Sequence, residues 1–420
     1  MKRLLLIALI ICCRLFAFSQ AECNSAVYRQ QMLMKSPRTL ANAEYIESFI
    51  KDHISRQAAD SGGNPGFQGS SLITIPVVVH IVYNTAQQNI SDAQVNSQIN
   101  VLNKDYTRQN ADTNNAPEVF RKVAANCGFH FALARVDSLG YATTGIIRKH
   151  TNIEAFSISD EIKFSDQGGD DAWDPNSYLN IWVGNLMDGI LGYSSVVGGP
   201  AQRDGVVVLY SAFGTTGKVI APFNGGRTAT HEIGHWLNLI HTWGDADCGD
   251  DHVADTPPQE TADRGCPNGV YISCNNGPNG DMYTNYMDFT NDNCMNIFTI
   301  GQRARMQALF APGGPRYEML SSVALTATPK PSLNSSADLP ANYEISIYPN
   351  PASNRITVAV PDLISNGSIM EIYNDLGQRI LSFEMKQPQQ QFDISALKRG
   401  IYYINLVGGK NKIVNKLVKL

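Results

Sequence analysis

The chain has 420 residues, 43% of them hydrophobic, with a formal net charge of −5 and a pI near 5.9. That length exceeds what one small core needs and predicts roughly two or three domains. No long run of one charge sign occurs, which argues against a nucleic-acid surface or an electrostatic tail. Only 17% of residues are charged, while Asn, Gln, Ser, Thr and Gly are plentiful, a balance that fits an extracellular protein.

Met1-Lys2-Arg3 is a short basic start, and Leu4 to Phe18 is an apolar run broken only by Arg14. Ala17 and Ser19 are small, as a cleavage site requires, so residues 1–19 read as a signal peptide cut near Ser19–Gln20. The run is too short and interrupted for a good membrane span; the competing reading is an N-terminal anchor. Lipidation of Cys12 is disfavoured because bulky Ile11 precedes it. No later stretch is long and apolar enough to span a bilayer. Six cysteines then remain, Cys23, Cys127, Cys248, Cys266, Cys274 and Cys294. The last four cluster in a loop-rich region where disulfides are expected, and the residues alone leave their three pairings open.

Ser25 to Gln57 has helical character with mixed polarity, and Asp60-Ser61-Gly62-Gly63-Asn64-Pro65-Gly66 reads as a flexible linker. Ile73 to Tyr83 is a strong strand. Ser91 is a good N-cap for a helix running to about Gln109, with Val95, Ile99, Leu102 and Tyr106 on one face. Phe129 to Val136, Tyr178 to Val183 and Gly205 to Tyr210 read as strands, and Thr228 to Asn238 as a helix. Trp243 to Asn293 is irregular and needs staples, either disulfides or bound cations. Ile300 to Phe310 reads as a closing helix. A linker over residues 326–341 includes Thr328-Pro329-Lys330-Pro331-Ser332. Beyond it, Ile345 to Tyr348, Ile356 to Val360, Ser368 to Tyr373, Arg379 to Phe383, Tyr402 to Leu406 and Ile413 to Leu417 alternate as short strands, predicting a small β-sandwich.

The segment His231-Glu232-Ile233-Gly234-His235-Trp236-Leu237-Asn238-Leu239-Ile240-His241 carries the chemistry. Four residues are about one helical turn, so His231 and His235 share a face and can bind one zinc. Glu232 follows the first ligand, where its carboxylate can reach a water on the metal. His241 lies too far along for that helix face, so the chain must turn near Asn238, a residue that tolerates positive φ second only to Gly. Three protein ligands leave a fourth position for water, the mark of a catalytic rather than a structural zinc. Zinc lowers the pKa of bound water toward about 7 and polarises a carbonyl. Glu232 would act as general base and then pass the proton to the leaving amine.

This motif resembles the metzincin metallopeptidases, and within them the pappalysin family, which usually has Gly where Asn238 stands. The resemblance spans roughly residues 73–320. It implies an α+β fold: a metzincin-like catalytic domain with a twisted mixed sheet, backing and active-site helices and an irregular C-terminal subdomain, followed by the all-β sandwich. It makes Met287, in Asn285-Tyr286-Met287-Asp288-Phe289, the Met-turn residue beneath the metal. Phe289 departs from the family, which often has Tyr there to hydrogen-bond the tetrahedral intermediate. Either Tyr286 or another donor compensates, or that contribution is absent and activity is reduced. The family parallel assigns Asp292 to specificity, favouring Arg or Lys immediately after the scissile bond; the alternative is an ordinary turn residue. It also implies Cys248–Cys274 and Cys266–Cys294 disulfides, and calcium in the Asp250 to Pro257 loop, where Asp251, Asp255 and the Thr256 carbonyl offer the hard oxygen ligands calcium prefers; a solvated acidic loop is the alternative.

Cys23 could hold the open zinc position as a thiolate and keep the enzyme latent; it could equally be unpaired or bonded to Cys127. Ser55–Arg56 would suit self-cleavage, since Arg would follow the cut. The resulting division is a signal peptide at 1–19, a pro-segment at 20–55, a catalytic domain at 56–325, a linker at 326–341 and a C-terminal module at 342–420. That module is similar to type IX secretion sorting domains, through Ile347-Tyr348-Pro349-Asn350-Pro351-Ala352, Tyr373-Asn374-Asp375-Leu376-Gly377, Leu397-Lys398-Arg399-Gly400-Ile401-Tyr402-Tyr403 and the basic tail ending at Leu420. This implies a Bacteroidetes-type bacterium, the type IX machinery as partner, passage through the periplasm, and release or attachment at the outer surface. A carbohydrate- or substrate-binding sandwich is the alternative. The expected protein is a secreted zinc endopeptidase acting on protein or peptide substrates; the second reading is an adhesion protein on a catalytically weakened fold.

Overall fold

The structure is a computed structural model that describes residues 22–60, 72–137, 140–187, 189–329, 346–359, 369–374, 378–385, 387, 389–407 and 413–420. The expected signal peptide, the linker after Asp60 and most of the 326–341 linker lie outside the described residues. The chain divides into two compact units, one of Met1–Arg135 with Thr144–Thr326, the other of Val136–Thr143 with Ala327–Leu420.

In the first unit β1 (Glu22–Cys23) leads into α1 (Ser25–Lys35) and α2 (Pro37–Asp60), followed by β2 (Ile73–Tyr83) and α3 (Asp92–Tyr106). A short α4 (Glu118–Arg121) precedes β3 (Phe129–Leu133), β4 (Ile146–His150), β5 (Leu179–Gly184), β6 (Ile190–Ser194) and β7 (Val206–Leu209). These strands form one mixed sheet of order β1-β6-β7-β5-β2-β3, with β4 also on β2. β2 is parallel to β3, β4 and β5, and β5 to β7, whereas β6 runs antiparallel to β7. The Ser91 hydroxyl caps α3 by accepting from Gln94 N–H at 3.2 Å, so the cap signal in the sequence is realised.

β2 shows why its residues make a central strand. Ile75, Val77, Val79 and Ile81 enter the main core with Val95, Ile99, Leu102 and Tyr106 of α3. The alternate residue Val82 faces a second core on the opposite side with Phe156, Trp182 and Tyr193. The period of 2 turns successive side chains to opposite faces, and both faces are covered. β4 and β6, like the two-residue β1, have no counterpart in the sequence reading. β6 is only Ile190-Leu191-Gly192-Tyr193-Ser194, too short and Gly-interrupted to show alternation.

α5 (Arg227–Trp236) crosses the α3 face of the sheet, and its Ala229, Ile233 and Trp236 join the main core. A short parallel pair, β8 (Arg264–Gly265) and β9 (Phe289–Thr290), ties the irregular region together, and α6 (Ile300–Ala308) closes the unit under a Thr299/Gln302 capping box. The second unit carries two antiparallel sheets. β10 (Ser346–Tyr348), β11 (Arg355–Ala359) and β14 (Gln389–Asp393) form one; β12 (Ile369–Tyr373), β13 (Arg379–Glu384), β15 (Gly400–Val407) and β16 (Ile413–Lys419) form the other. Ile356, Val358, Met370, Ile372, Phe392 and Ile404 fill the core. β14 went unseen in the sequence because Gln389-Gln390-Gln391 lacks strand character; pairing with β11 overrides it. Among the described residues, no helix is long and apolar enough to cross a membrane.

Candidate metal centre

α5 ends in a Schellman turn: Asn238 N–H donates to His235 C=O at 2.8 Å and Leu239 N–H to Gly234 C=O at 3.0 Å. Asn238 takes the left-handed conformation, φ 64°. The reversal carries the chain back so that His241 meets the two helical histidines. His235 Nε2 lies 3.1 Å from His231 Nε2 and 3.1 Å from His241 Nε2.

The proton positions decide what these contacts are. His231 Nδ1 faces Tyr286 C=O at 2.7 Å, His235 Nδ1 faces Leu239 C=O at 2.9 Å, and His241 Nδ1 contacts an Asp245 carboxylate oxygen. Each Nδ1 therefore carries the proton, and three Nε2 lone pairs converge on one point. With nothing between them this is repulsive; a cation relieves it. Tetrahedral zinc with Zn–N of about 2.0–2.1 Å puts its nitrogens about 3.3 Å apart, so the residues fit zinc. Burial first, then the neighbouring His241 ring, holds His231 down to about 3 and His235 well below the usual imidazole range. Neutral imidazole is the ligating form.

Cys23 enters the same cluster from the N-terminal segment. β1 pairs parallel with β6, Cys23 opposite Gly192, and Cys23 Sγ lies 3.5 Å from His235 Nε2. The four ligand atoms of Cys23, His231, His235 and His241 lie within 4.8 Å of one another, the one such group among the described residues. Burial, then the nearby Glu232 carboxylate, pushes the Cys23 thiol well above its usual range; a cation at the cluster would oppose this. Cys23 and Cys127 are both free thiols, so they are not bonded to each other.

Glu232 is fully buried and faces β6. A Cβ on Gly192 would sit 2.8 Å from Glu232 Cγ, so Gly is required there. Glu232 Oε2 accepts from Ser25 Oγ–H at 2.7 Å, while Oε1 has no partner. Burial lifts this carboxyl to about 8, with the Ser25 and Cys23 contacts pulling the other way.

Met287 lies under the helix. A Cβ on Gly234 would collide with Met287 Sδ, which explains the Gly between the two helical histidines. Gly234→Ala is expected to cost about 1–3 kcal/mol by overpacking, read by denaturant melting; an unchanged midpoint would mean the Met287 side chain yields freely.

Phe289 packs 4.8 Å from the His241 ring and 5.7 Å from that of His231. Tyr286 cannot replace the missing phenol. It is fully buried, and its hydroxyl is taken by the Arg227 guanidinium at 3.1 Å.

Beside Glu232 a pocket is lined by Leu191, Phe223, Arg227, Thr228, Met295 and Asp292. Asp292 is 4% exposed and accepts from the N–H groups of Gly225 at 2.7 Å and Arg227 at 3.2 Å. Burial raises its carboxyl to about 6 despite those bonds. The Arg227 side chain is committed elsewhere, to Asp105 at 3.2 Å, Asp112 at 3.3 Å and Met295 C=O.

The irregular region is stapled by Cys248–Cys274 and Cys266–Cys294, each with Cα atoms 5.7 Å apart. Asp251 is engaged locally, accepting from Val253 N–H at 3.0 Å and Thr256 Oγ1–H at 2.7 Å. Asp255 Oδ2 accepts from Gly301 N–H at 2.9 Å, and its Oδ1 has no partner. Ser55 and Arg56 lie exposed within α2, so a protease that binds extended backbone would need the end of this helix to unwind. Ser25, Gly192 and Asp245 were missed in the sequence; only their positions across the fold reveal them.

The profile of peptidase family M43, described as pregnancy-associated plasma protein-A, matches residues 163–311, and that of the secretion system C-terminal sorting domain matches residues 346–420. An extracellular metalloprotease of Pyricularia oryzae is 30% identical over 306 residues, 71% of this chain and 95% of that protein. Extracellular metalloprotease 1 of Coccidioides posadasii is 34% identical over 248 residues, 57% and 77% of the two chains. Mature mirolysin of Tannerella forsythia, solved with a cleaved peptide, is 50% identical with a TM-score of 0.59, covering 60% of this chain and 96% of its own. A promirolysin mutant from the same organism is 44% identical with a TM-score of 0.66, covering 73% and 99%.

Proposed function

Because this chain belongs to the pregnancy-associated plasma protein-A family of zinc metallopeptidases and carries a secretion sorting domain, we propose that it is a secreted endopeptidase in which His231, His235 and His241 hold the zinc and Glu232 is the general base. The observation that carries this reading is the convergence of three Nε2 lone pairs, each ring turned by an acceptor on Nδ1. When bound, zinc supplies an acidified water and an electrophile for the scissile carbonyl. Glu232 accepts the proton of the attacking water and delivers it to the leaving nitrogen. The Leu191–Phe223 pocket receives the side chain after the cut, and Met287 supports the ligands from below. Digestion of casein, abolished by a chelator and restored by zinc, tests the reading; hydrolysis that survives chelation would refute it.

Asp292 selects a basic residue after the scissile bond. The Arg227 guanidinium pairs with Asp105 and Asp112 rather than with Asp292, which leaves the Asp292 carboxylate without a paired cation until a basic substrate side chain arrives. Asp292→Ala is expected to cost about 2–5 kcal/mol, roughly a 30-fold or greater fall in kcat/KM for peptides with Arg after the cut, with little change for Leu. Equal losses for both peptides would remove the assignment. Calcium at Asp251, Asp255 and the Thr256 carbonyl is supported only by the free Asp255 oxygen. Calcium at 100-fold its Kd would add about 2.7 kcal/mol, so EGTA should lower the melting temperature by several degrees; no shift argues against the site.

Residues 20–55 act as a latency segment, with Cys23 as fourth ligand. Strand pairing supports this: β1 lies parallel to β6 and sets Cys23 opposite Gly192. Two further anchors hold the segment. Tyr28 Oη–H donates to Asp160 at 2.6 Å, and Glu47 takes both Arg305 amino groups at 2.7 and 3.0 Å. The mature mirolysin structure covers less of this chain than the promirolysin structure, as removal of an N-terminal segment would produce.

A further inference from the structure

We propose that Asp245 is a positioning residue for the third zinc ligand. This rests on the three-histidine zinc reading. The helix fixes His231 and His235, and backbone carbonyls hold their Nδ1 atoms. His241 lies beyond the helix in a loop, where backbone alone does not orient a ring. Its Nδ1 contacts the Asp245 carboxylate, the one acidic side chain on any of the three imidazoles among the described residues. Trp243 stacks on the His241 ring, 4.3 Å away and 3° from parallel.

The turn is built to return Asp245 to that ring. Gly244 N–H donates to His241 C=O at 2.8 Å, and Gly244 (φ 66°) and Asp245 (φ 56°) are both left-handed. Asp is one of the few residues with a Cβ that adopts this conformation readily, so the turn can return a carboxylate to the ring. A carboxylate on Nδ1–H fixes the tautomer, aims Nε2 and makes it a stronger donor. Loss of such outer partners typically weakens metal binding about 10- to 100-fold.

The test uses the full chain with Cys23→Ala, leaving the imidazoles to hold zinc unaided. Zinc affinity is measured by competition with a chromogenic chelator, alongside the cobalt absorption spectrum and the melting temperature of metal-free protein. Asp245→Asn is expected to weaken zinc about 10- to 100-fold and shift the cobalt bands while the metal-free melting temperature holds. Asp245→Glu should recover part of the affinity. Zinc affinity within twofold of the parent, or a loss matched by melting of the metal-free protein, would overturn the assignment. A parent that binds no zinc would instead remove the histidine reading itself.

A separate set of contacts carries a second inference, resting on the latency reading: Ser25 caps the general base. Ser25 is 4% exposed, 2.7 Å from Glu232 Oε2, and its oxygen accepts from Ser194 N–H at 2.8 Å. The β6 amide thus locks the hydroxyl so that its proton points at the carboxylate, where a water would have to bind to be activated. The segment blocks metal and base through two residues, Cys23 and Ser25.

Initial rates on a short peptide, with intact zymogen verified by mass spectrometry, test this. Cys23→Ala/Ser25→Ala is expected to be at least tenfold faster than Cys23→Ala. Rates equal within twofold would overturn the cap. So would an equal gain from Cys23→Ala/Tyr28→Phe, which loosens the segment without touching Glu232. If Cys23→Ala is no faster than the unaltered zymogen while the double variant is, the thiol reading falls and the cap stands.

Discussion

Activated, zinc-loaded Glu232→Gln enzyme is expected to lose roughly 100- to 10,000-fold in kcat, the range for a positioned acid–base group. Gln keeps the shape but cannot accept a proton. Glu232 has no freedom to be replaced by a neighbour: it is fully buried, and β6 at Gly192 closes against its Cγ. A group acting only on the chemical step lowers kcat and kcat/KM together, so KM should hardly move. Zinc content and melting should match the parent, since Glu232 is not among the convergent nitrogens. Activity within tenfold of the parent would mean another base operates.

The second large effect is release of latency by Cys23→Ala. In the intact chain the thiol reaches His235 Nε2 at 3.5 Å, in the position a water would take. Without it the fourth position opens while Tyr28 and Glu47 still anchor the segment. A gain of at least tenfold in peptide hydrolysis by intact zymogen is expected, equivalent to about 1.4 kcal/mol of lost inhibition, together with faster maturation. Cleavage at Ser55–Arg56 should lag peptide hydrolysis, because α2 must unwind to present that bond. N-terminal sequencing of the matured chain checks the site; identical activation times for variant and parent would count against the switch.

Much of the site was legible locally. A helix fixes the i, i+4 spacing, so His231 and His235 had to share a face, and Asn238 marked the reversal that brings in His241. The β-sandwich was visible as short alternating runs, although Gln-rich β14 was not. Tyr286 shows the limit: one residue from Met287 in sequence, it looked able to donate to the intermediate. Its side chain points into the core instead, toward Arg227, because successive residues of a turn face different ways.

The sequence by itself determined which groups could bind a metal and move a proton, and that the chain is exported with a sorting module. Only the tertiary structure decided how those groups are aimed. It supplied the acceptor on each Nδ1, the room for Met287 beneath Gly234, and the edge strand that brings Cys23 and Ser25 to residues more than 200 positions away. Helical spacing is written in neighbouring residues; strand order and cross-sheet packing are settled among distant ones, where no local pattern records the partner.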